Sequence, residues 1–427
     1  MSGRVAFYTL GCKVNQYDMV AMQEVFRRAG YEVVGHDESP DVFVVNTCAV
    51  TARSEQKARQ AIRRFRRENP AALIALGGCY AQVAPEAAAA LPEVDLVFGI
   101  GERGQLVELV QGLRRRDAHP VCLVGDVEDL QRFDEAWIAD WNERARAVLK
   151  VQEGCRQFCA YCIVPFARGP QRSRPLAEAV AEAQRLVRAG YREIVVAGVH
   201  LGAYEGGLVA LLRALAGIEG LWRIRLSSLE PMDIEPELFA LLGSGDRFCP
   251  HLHLPLQSGS DDVLRRMRRP YDTAYFARLV ETARRHIPDL AITTDVLVGF
   301  PGESEEDFRA TYDFSRQIGF SRLHVFTYSR RPGTAAAAMP GQLPNSVKKE
   351  RSKLLMKLGE ELAEDFHRRY LGRVLSVLVE ERQGGYVTGY SPNYIRVRAK
   401  ADRDINTLVP VRITHVTSAG AAGELAE

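Results

Sequence analysis

The stretch Gly154-Cys155-Arg156-Gln157-Phe158-Cys159-Ala160-Tyr161-Cys162 constrains this chain more than any other. It holds three of the eight cysteines in a C-x3-C-x2-C pattern, directly after the strand-like run Val148-Leu149-Lys150-Val151. Three thiols on a loop leaving a strand can hold a metal centre. A structural zinc site normally takes four ligands, often as two C-x2-C pairs, and no fourth Cys or His lies within thirty residues. An iron–sulfur cube is also held by thiolates. Three of them leave one iron open to a further ligand.

The first 115 residues alternate strand and helix patterns. The apolar runs Val5-Ala6-Phe7-Tyr8, Val42-Phe43-Val44-Val45, Leu73-Ile74-Ala75-Leu76 and Leu96-Val97-Phe98 predict a parallel sheet. Helical spacing fills Met19 to Ala29, and Glu55 to Arg67 reads as a basic helix. Cys12, Cys48 and Cys79 each follow one of these strands. In an open α/β sheet, ligands bind beyond the carboxyl ends of the strands. Three thiols delivered to that edge predict a second three-thiolate site. Gly11, Gly77 and Gly78 would let the backbone approach a bound group closely.

Residues 116–143 read as a connector, entered through Arg114-Arg115-Arg116, with Cys122 as a structural cysteine. From 144 to 371 the pattern is strand, loop and helix, with strands expected at 147–151, 193–197, 223–228, 251–256, 291–298 and 322–327. Six units are too few for a closed eight-fold barrel, and a partial (β/α)6 barrel fits them. The strand ends carry Gly198 and His200, Ser228 and Glu230, then His251, His253 and Gln257, and finally Asp295, Gly299 and Glu303. Taken singly, the histidines could be core residues and the glycines turns. Cys249 reads as inert. Residues 346–370 form a long amphipathic helix whose stripe is Val347, Leu354, Leu355, Leu358, Leu362 and Phe366.

Residues 372–427 change character. Short strands separated by Gly, Pro and Asn predict a small β-barrel. Ile395 and Val397 alternate with Arg396 and Arg398, and Tyr394 lies beside them. Basic and aromatic side chains on a small barrel suit single-stranded nucleic acid through phosphate contacts and stacking. The residues from Thr417 onward, rich in Gly and Ala, are expected to fray. The basic runs around Arg63 to Arg67 and Arg265 to Arg269 are further possible phosphate contacts.

The segment GCRQFCAYCIVPFARGPQRSR resembles the radical S-adenosylmethionine enzymes and, within them, the methylthiotransferases; the likeness runs over nearly the whole chain. It implies an N-terminal methylthiotransferase domain, a radical S-adenosylmethionine barrel and a C-terminal TRAM barrel that binds RNA. It further implies two 4Fe-4S clusters, one on Cys155, Cys159 and Cys162 and one on Cys12, Cys48 and Cys79. Gly198, Ser228, Glu230, Gln257, Asp295 and Gly299 fall on family motifs around S-adenosylmethionine or substrate. In the family, the barrel cluster cleaves S-adenosylmethionine reductively, the resulting radical abstracts hydrogen from a C–H, and the second cluster supplies sulfur carrying a methyl.

The elements GCKVNQYD, VNTCAVT and HLHLPLQSGSDDVLRRMRRPY resemble the branch that methylthiolates carbon 2 of N6-threonylcarbamoyladenosine at tRNA position 37. The isopentenyladenosine branch usually has Gln-Met-Asn where this chain has Lys13-Val14-Asn15, and the ribosomal-protein aspartate branch has Pro-Lys-Asn. Ala160 stands where Thr or Ser is frequent. The alternatives are those two branches and, further away, a non-catalytic iron–sulfur protein that binds RNA or transfers electrons. The implied partners are a tRNA anticodon stem-loop and a reductant such as flavodoxin or ferredoxin, with the chain acting as a monomer.

The remaining features set limits. No run of eighteen apolar residues exists, so no membrane span is expected. The N-terminus leads straight into a strand without a signal-peptide pattern. Eight cysteines in 427 residues read as reduced thiols of the cytoplasm rather than as a disulfide framework. A net charge of +2 confines any nucleic-acid surface to a local patch.

Overall fold

The computed structural model describes residues 3–113, 120–133, 137–138, 141, 145–245 and 247–426. The Arg114-Arg115-Arg116 run and much of the expected connector lie outside them. The chain is α/β. Its first sheet contains β1 (Arg4–Thr9), β2 (Glu32–Val33), β3 (Val42–Thr47), β4 (Leu73–Gly78), β5 (Leu96–Phe98) and β6 (Val121–Leu123), in the order β2-β1-β3-β4-β5-β6. Every pairing is parallel.

Side chains alternate across a strand, and β3 shows what that does here. Val42 and Val44 pack with Phe26 and Val110 on one face, whereas Phe43 and Val45 pack with Ile62 and Phe65 on the other. Helices therefore cover both sides, which is why these strands are continuously apolar. The sheet also takes its edge strand, β6, from the segment expected to be connector. Cys122, on that strand, is exposed.

The second unit contains β7 (Arg146–Glu153), β8 (Arg172–Ser173), β9 (Glu193–Gly198), β10 (Arg223–Leu226), β11 (His251–His253), β12 (Ala291–Val298) and β13 (Arg322–Thr327). These strands pair as two sheets, β10-β9-β7-β8 and β11-β12-β13, joined by a parallel bridge between Ser228 and His253. The result is an arc of six parallel strands with β8 antiparallel on the outer side of β7. This is the partial barrel expected from the strand count.

The helix Asn345–Arg368 packs along β12 and β13. Its buried face is Lys348, Arg351, Leu355, Leu358, Gly359, Ala363, Phe366 and His367. Leu354, expected in the stripe, is instead 46% exposed. At 3.6 residues per turn it lies about 100° from Leu355, and the adjoining buried positions are taken by Lys348 and Arg351.

The C-terminal barrel is closed: β14 (Val374–Gln383), β15 (Tyr386–Tyr390), β16 (Arg396–Lys400), β17 (Leu408–Thr417) and β18 (Gly420–Leu425), in the order β14-β15-β16-β18-β17. The tail expected to fray is therefore its closing strand, parallel to β16 and antiparallel to β17. Its small residues serve close approach. A Cβ on Gly423 would lie 2.2 Å from the Arg412 carbonyl oxygen, and one on Gly420 would lie 2.3 Å from that of Arg396. Among the described residues no helix is long and apolar enough to cross a membrane.

Candidate functional site

Cys155, Cys159 and Cys162 lie on the loop leaving β7. The loop doubles back sharply at Gly154, whose φ is +77°. A Cβ there would sit 1.8 Å from the Pro170 carbonyl oxygen, so only glycine fits. The Cys155 amide donates to Gly169 O at 3.1 Å and the Cys162 amide to Cys159 O at 2.9 Å. Ala160 is fully buried and clamped by its backbone, donating to Met267 O and accepting from the Ala336 amide. The position is used through its main chain, which accounts for the tolerance of alanine there.

Burial pushes the Cys162 thiol up to about 12, with Cys159 adding to the effect. It also pushes Cys159 up, against the pull of Arg269. Such thiols ionise only when a cation compensates the lost solvation, which is what ligation by iron does. Arg269 Nη1 donates to Cys159 Sγ at 3.2 Å. No group of three or more His, Cys, Asp or Glu among the described residues converges on a single ion. In a cube each thiolate binds a different iron, so convergence is not required of this donor set.

The strand ends surround this loop. Gly198 ends β9 above Gln152, where a Cβ would lie 2.9 Å from Gln152 Cβ. Gln152 Oε1 accepts from the His200 amide at 2.6 Å, and His200 Nδ1 lies 3.7 Å from Cys155 Sγ. Ser228 bridges to His253. Glu230 forms an ion pair with Arg269, tying it to Cys159 through one guanidinium. Gln257 holds a φ of +66° and pairs its amide with Asp295 O at 2.8 Å. Asp295 faces His253 at 3.3 Å. The Gly299 amide donates to both Glu303 carboxylate oxygens, at 3.0 and 3.1 Å, and Arg351 holds Glu303 from the long helix.

Cys12, Cys48 and Cys79 follow β1, β3 and β4, which are neighbours in the first sheet. The register therefore places the three side by side. A Cβ on Gly11 would lie 3.3 Å from Cys48 Sγ, so the turn after β1 passes directly over that sulfur. Cys48 and Cys79 are buried and Cys12 is exposed. Burial pushes Cys48 up to about 11, with Cys79 and Cys12 contributing.

Arg168 reaches this triad from the barrel, with Nε 3.3 Å from Cys79 Sγ. Sequence reasoning does not single out Arg168, Lys150, Gln152 or Arg269. In the sequence Arg269 is only the end of a basic run, whereas its side chain is buried; its neighbour Arg265 is exposed beside Asp262. No single-residue signal separates the two, because burial of Arg269 depends on Glu230 and Cys159 arriving from distant segments.

On the C-terminal barrel, β16 presents Arg396, Arg398 and Lys400 outward and buries Val397 and Ala399. Arg396 pairs with Glu381 at 3.1 Å, and Arg398 lies 4.1 Å over the Tyr386 ring. Tyr394 is set apart from them. Its φ is +67°, and its ring stacks on Tyr390, faces His251 at 4.7 Å and lies 4.6 Å from the Arg225 guanidinium. It is wedged between the small barrel and the amino ends of the larger one.

Two family models match the chain: the radical SAM superfamily over residues 149–315 and an uncharacterized protein family, UPF0004, over residues 4–99. The chain is 42% identical over 421 residues to the threonylcarbamoyladenosine tRNA methylthiotransferase MtaB of Bacillus subtilis, covering 96% of this chain and 93% of that protein. It is 37% identical over 389 residues to the tRNA-2-methylthio-N(6)-dimethylallyladenosine synthase of Moorella thermoacetica, covering 87% and 86%. Among solved structures, the radical S-adenosylmethionine methyltransferase TsrM from Kitasatospora setae, with cobalamin and a [4Fe-4S] cluster bound, superposes with a TM-score of 0.59 at 19% identity, over 79% of this chain and 77% of that one. That last likeness concerns the fold.

Proposed function

Since the chain belongs to the radical S-adenosylmethionine tRNA methylthiotransferase family, we propose that it adds a methylthio group to carbon 2 of N6-threonylcarbamoyladenosine at tRNA position 37. Membership implies S-adenosylmethionine and a 4Fe-4S cluster. In this reading Cys155, Cys159 and Cys162 hold that cluster, and Cys12, Cys48 and Cys79 hold a second one. Gly198, Ser228, Glu230, Gln257, Asp295 and Gly299 border S-adenosylmethionine. Arg396 and Arg398 meet the anticodon stem-loop. A flavodoxin or ferredoxin supplies electrons, and the chain works as a monomer in the cytoplasm.

When bound, the barrel cluster with S-adenosylmethionine supplies a radical able to take hydrogen from carbon 2, which acid–base chemistry cannot do. The chain's own residues do the rest. Arg269 and His200 fix two of the cysteine sulfurs. Glu303 and Arg351 hold the turn at Gly299. The walls of the barrel mouth keep the reactants close and water out.

The observation carrying the choice of base is the near full-length match to the threonylcarbamoyladenosine enzyme. Lys13, directly after Cys12, is exposed and makes no ion pair or hydrogen bond among the described residues. A carboxylate on the substrate would find a cation there, whereas an isopentenyl group would want an apolar wall.

The test offers the reconstituted enzyme tRNAs carrying threonylcarbamoyladenosine, isopentenyladenosine or unmodified adenosine and reads the nucleosides by mass spectrometry. Methylthio product on the first alone is expected. Product on the isopentenyl substrate alone moves the chain to the other tRNA branch. Replacing Cys12, Cys48 and Cys79 by Ala should leave deoxyadenosine formation and abolish the methylthio product.

A further inference from the structure

The segment that leaves the barrel cysteine loop ends in the other thiol site. The helix Val164–Arg168 begins two residues after Cys162. Its last residue turns into the first domain. Arg168 is 1% exposed. Its Nε donates to Cys79 Sγ at 3.3 Å, its Nη2 binds Asp18 at 2.8 Å and also Asn15, and its Nη1 binds Glu153 at 2.5 Å.

Other charged groups share its two carboxylates. Asp18 and Glu153 are the carboxylates. Facing them are Arg168, Lys150 at 2.8 Å from both, Arg103 at 2.7 Å from Asp18, and Arg172 at 3.7 Å from Glu153. Three thiolates on a 4Fe-4S core would carry net negative charge, which the Arg168 guanidinium would meet at Cys79.

We propose that Arg168 is a positioning residue of the second thiol site: donated by the barrel, it fixes the Cys79 sulfur and raises the reduction potential of the iron–sulfur group held there. This rests on the two-cluster reading above. The physical reason is general. Hydrogen bonds to cluster sulfurs and nearby positive charge stabilise the more negative, reduced state. Arg168 brings both, and the carboxylates around it hold its planar fork in one orientation.

The test uses the full chain carrying Cys155→Ala, Cys159→Ala and Cys162→Ala, so that only the second site can hold iron. Iron and midpoint potential are measured after anaerobic reconstitution, by chemical assay and EPR-monitored titration. About four irons per chain are expected. Adding Arg168→Gln should lower the reduced-to-oxidised ratio at fixed potential at least tenfold, a midpoint roughly 59 mV lower for one electron. Arg168→Lys should give a smaller drop, and Asp18→Asn a shift in the opposite direction.

A merely structural role would lower thermal stability without ordering the potentials by charge. An unmoved midpoint in Arg168→Gln with iron retained overturns the proposal. If that variant loses its iron, the Asp18→Asn midpoint decides, and failure to rise overturns it. Absence of iron in the starting triple variant removes the two-cluster reading, and this proposal with it.

Discussion

Arg269 touches Cys159 and Glu230 with the two ends of one guanidinium, Nη1 to the sulfur at 3.2 Å and Nη2 to the carboxylate. Nε donates to the Tyr271 hydroxyl at 3.1 Å. The barrel thiols and the end of the third barrel strand are thereby joined through a buried cation. Replacing it with Met leaves Glu230 facing the thiols without its partner. Arg269→Met should cut reductive cleavage of S-adenosylmethionine at least tenfold, about 1.4 kcal/mol in barrier, read as deoxyadenosine by chromatography.

The turn after β12 depends on Glu303, which accepts from the Gly299 amide and is held by Arg351. Arg351→Ala strands a buried carboxylate. The expected loss is about 3–5 kcal/mol of unfolding free energy, measured by urea titration, and Glu303→Gln in the same chain should recover part of it.

His324 provides a pH test inside the barrel. Burial first, and then the charge of His253, bring it down from 6.5 to about 4, with Arg322 and Lys13 adding and Asp295 opposing. The unfolded chain therefore takes up a proton near 6.5 that the folded chain refuses until about 4. Stability should be lost as pH falls through that window, by at most about 3 kcal/mol. His324→Gln should flatten the dependence of the thermal midpoint between those values.

The C-terminal barrel has an exposed basic face and a docked side. Arg398 and Lys400 lie on the exposed face, whereas Tyr394 lies against His251 and Arg225. Arg398→Ala with Lys400→Ala should weaken tRNA binding and reduce the salt slope by about 0.7 for each lost contact. Tyr394→Ala should lower thermal stability and leave that slope unchanged. A slope that drops in Tyr394→Ala alone would reverse the assignment.

Closure of that barrel can be broken at one atom. Gly423→Val places a branched side chain where the Arg412 carbonyl oxygen lies 2.2 Å from a Cβ. The variant should open the barrel, lose the protected amides of β16 to β18 in hydrogen exchange, and bind tRNA as poorly as a chain lacking residues 418–426.

Much of this architecture can be read from the residues because the signals are local. Continuous apolar strands such as Val42 to Val45 declare a sheet covered on both faces, and six strand units declare a partial barrel. The positions of Cys155, Cys159 and Cys162 on a loop leaving a strand, and of Cys12, Cys48 and Cys79 at neighbouring strand ends, are legible in the same way. What escapes depends on contacts between distant segments. Arg168 and Arg269 look like any other arginines until Cys79 and Cys159 lie beside them. Tyr394 resembles a nucleic-acid contact until β11 brings His251 under it. The Gly/Ala tail imitates disorder because composition cannot distinguish a loose end from a strand that fits only if it is thin.

The short run from Cys162 to Arg168 has a consequence for anyone recombining these proteins. A chimera that exchanged the first 115 residues between relatives would part the first sheet from its edge strand, β6. It would also cut through one electrostatic unit, because Asn15, Asp18 and Cys79 belong to the exchanged part while Lys150, Glu153 and Arg168 stay behind. The inheritable module is thus larger than the covalent domain: a graft that carries the first sheet must bring β6 and residues 146–172 from the same parent, or match them side chain by side chain.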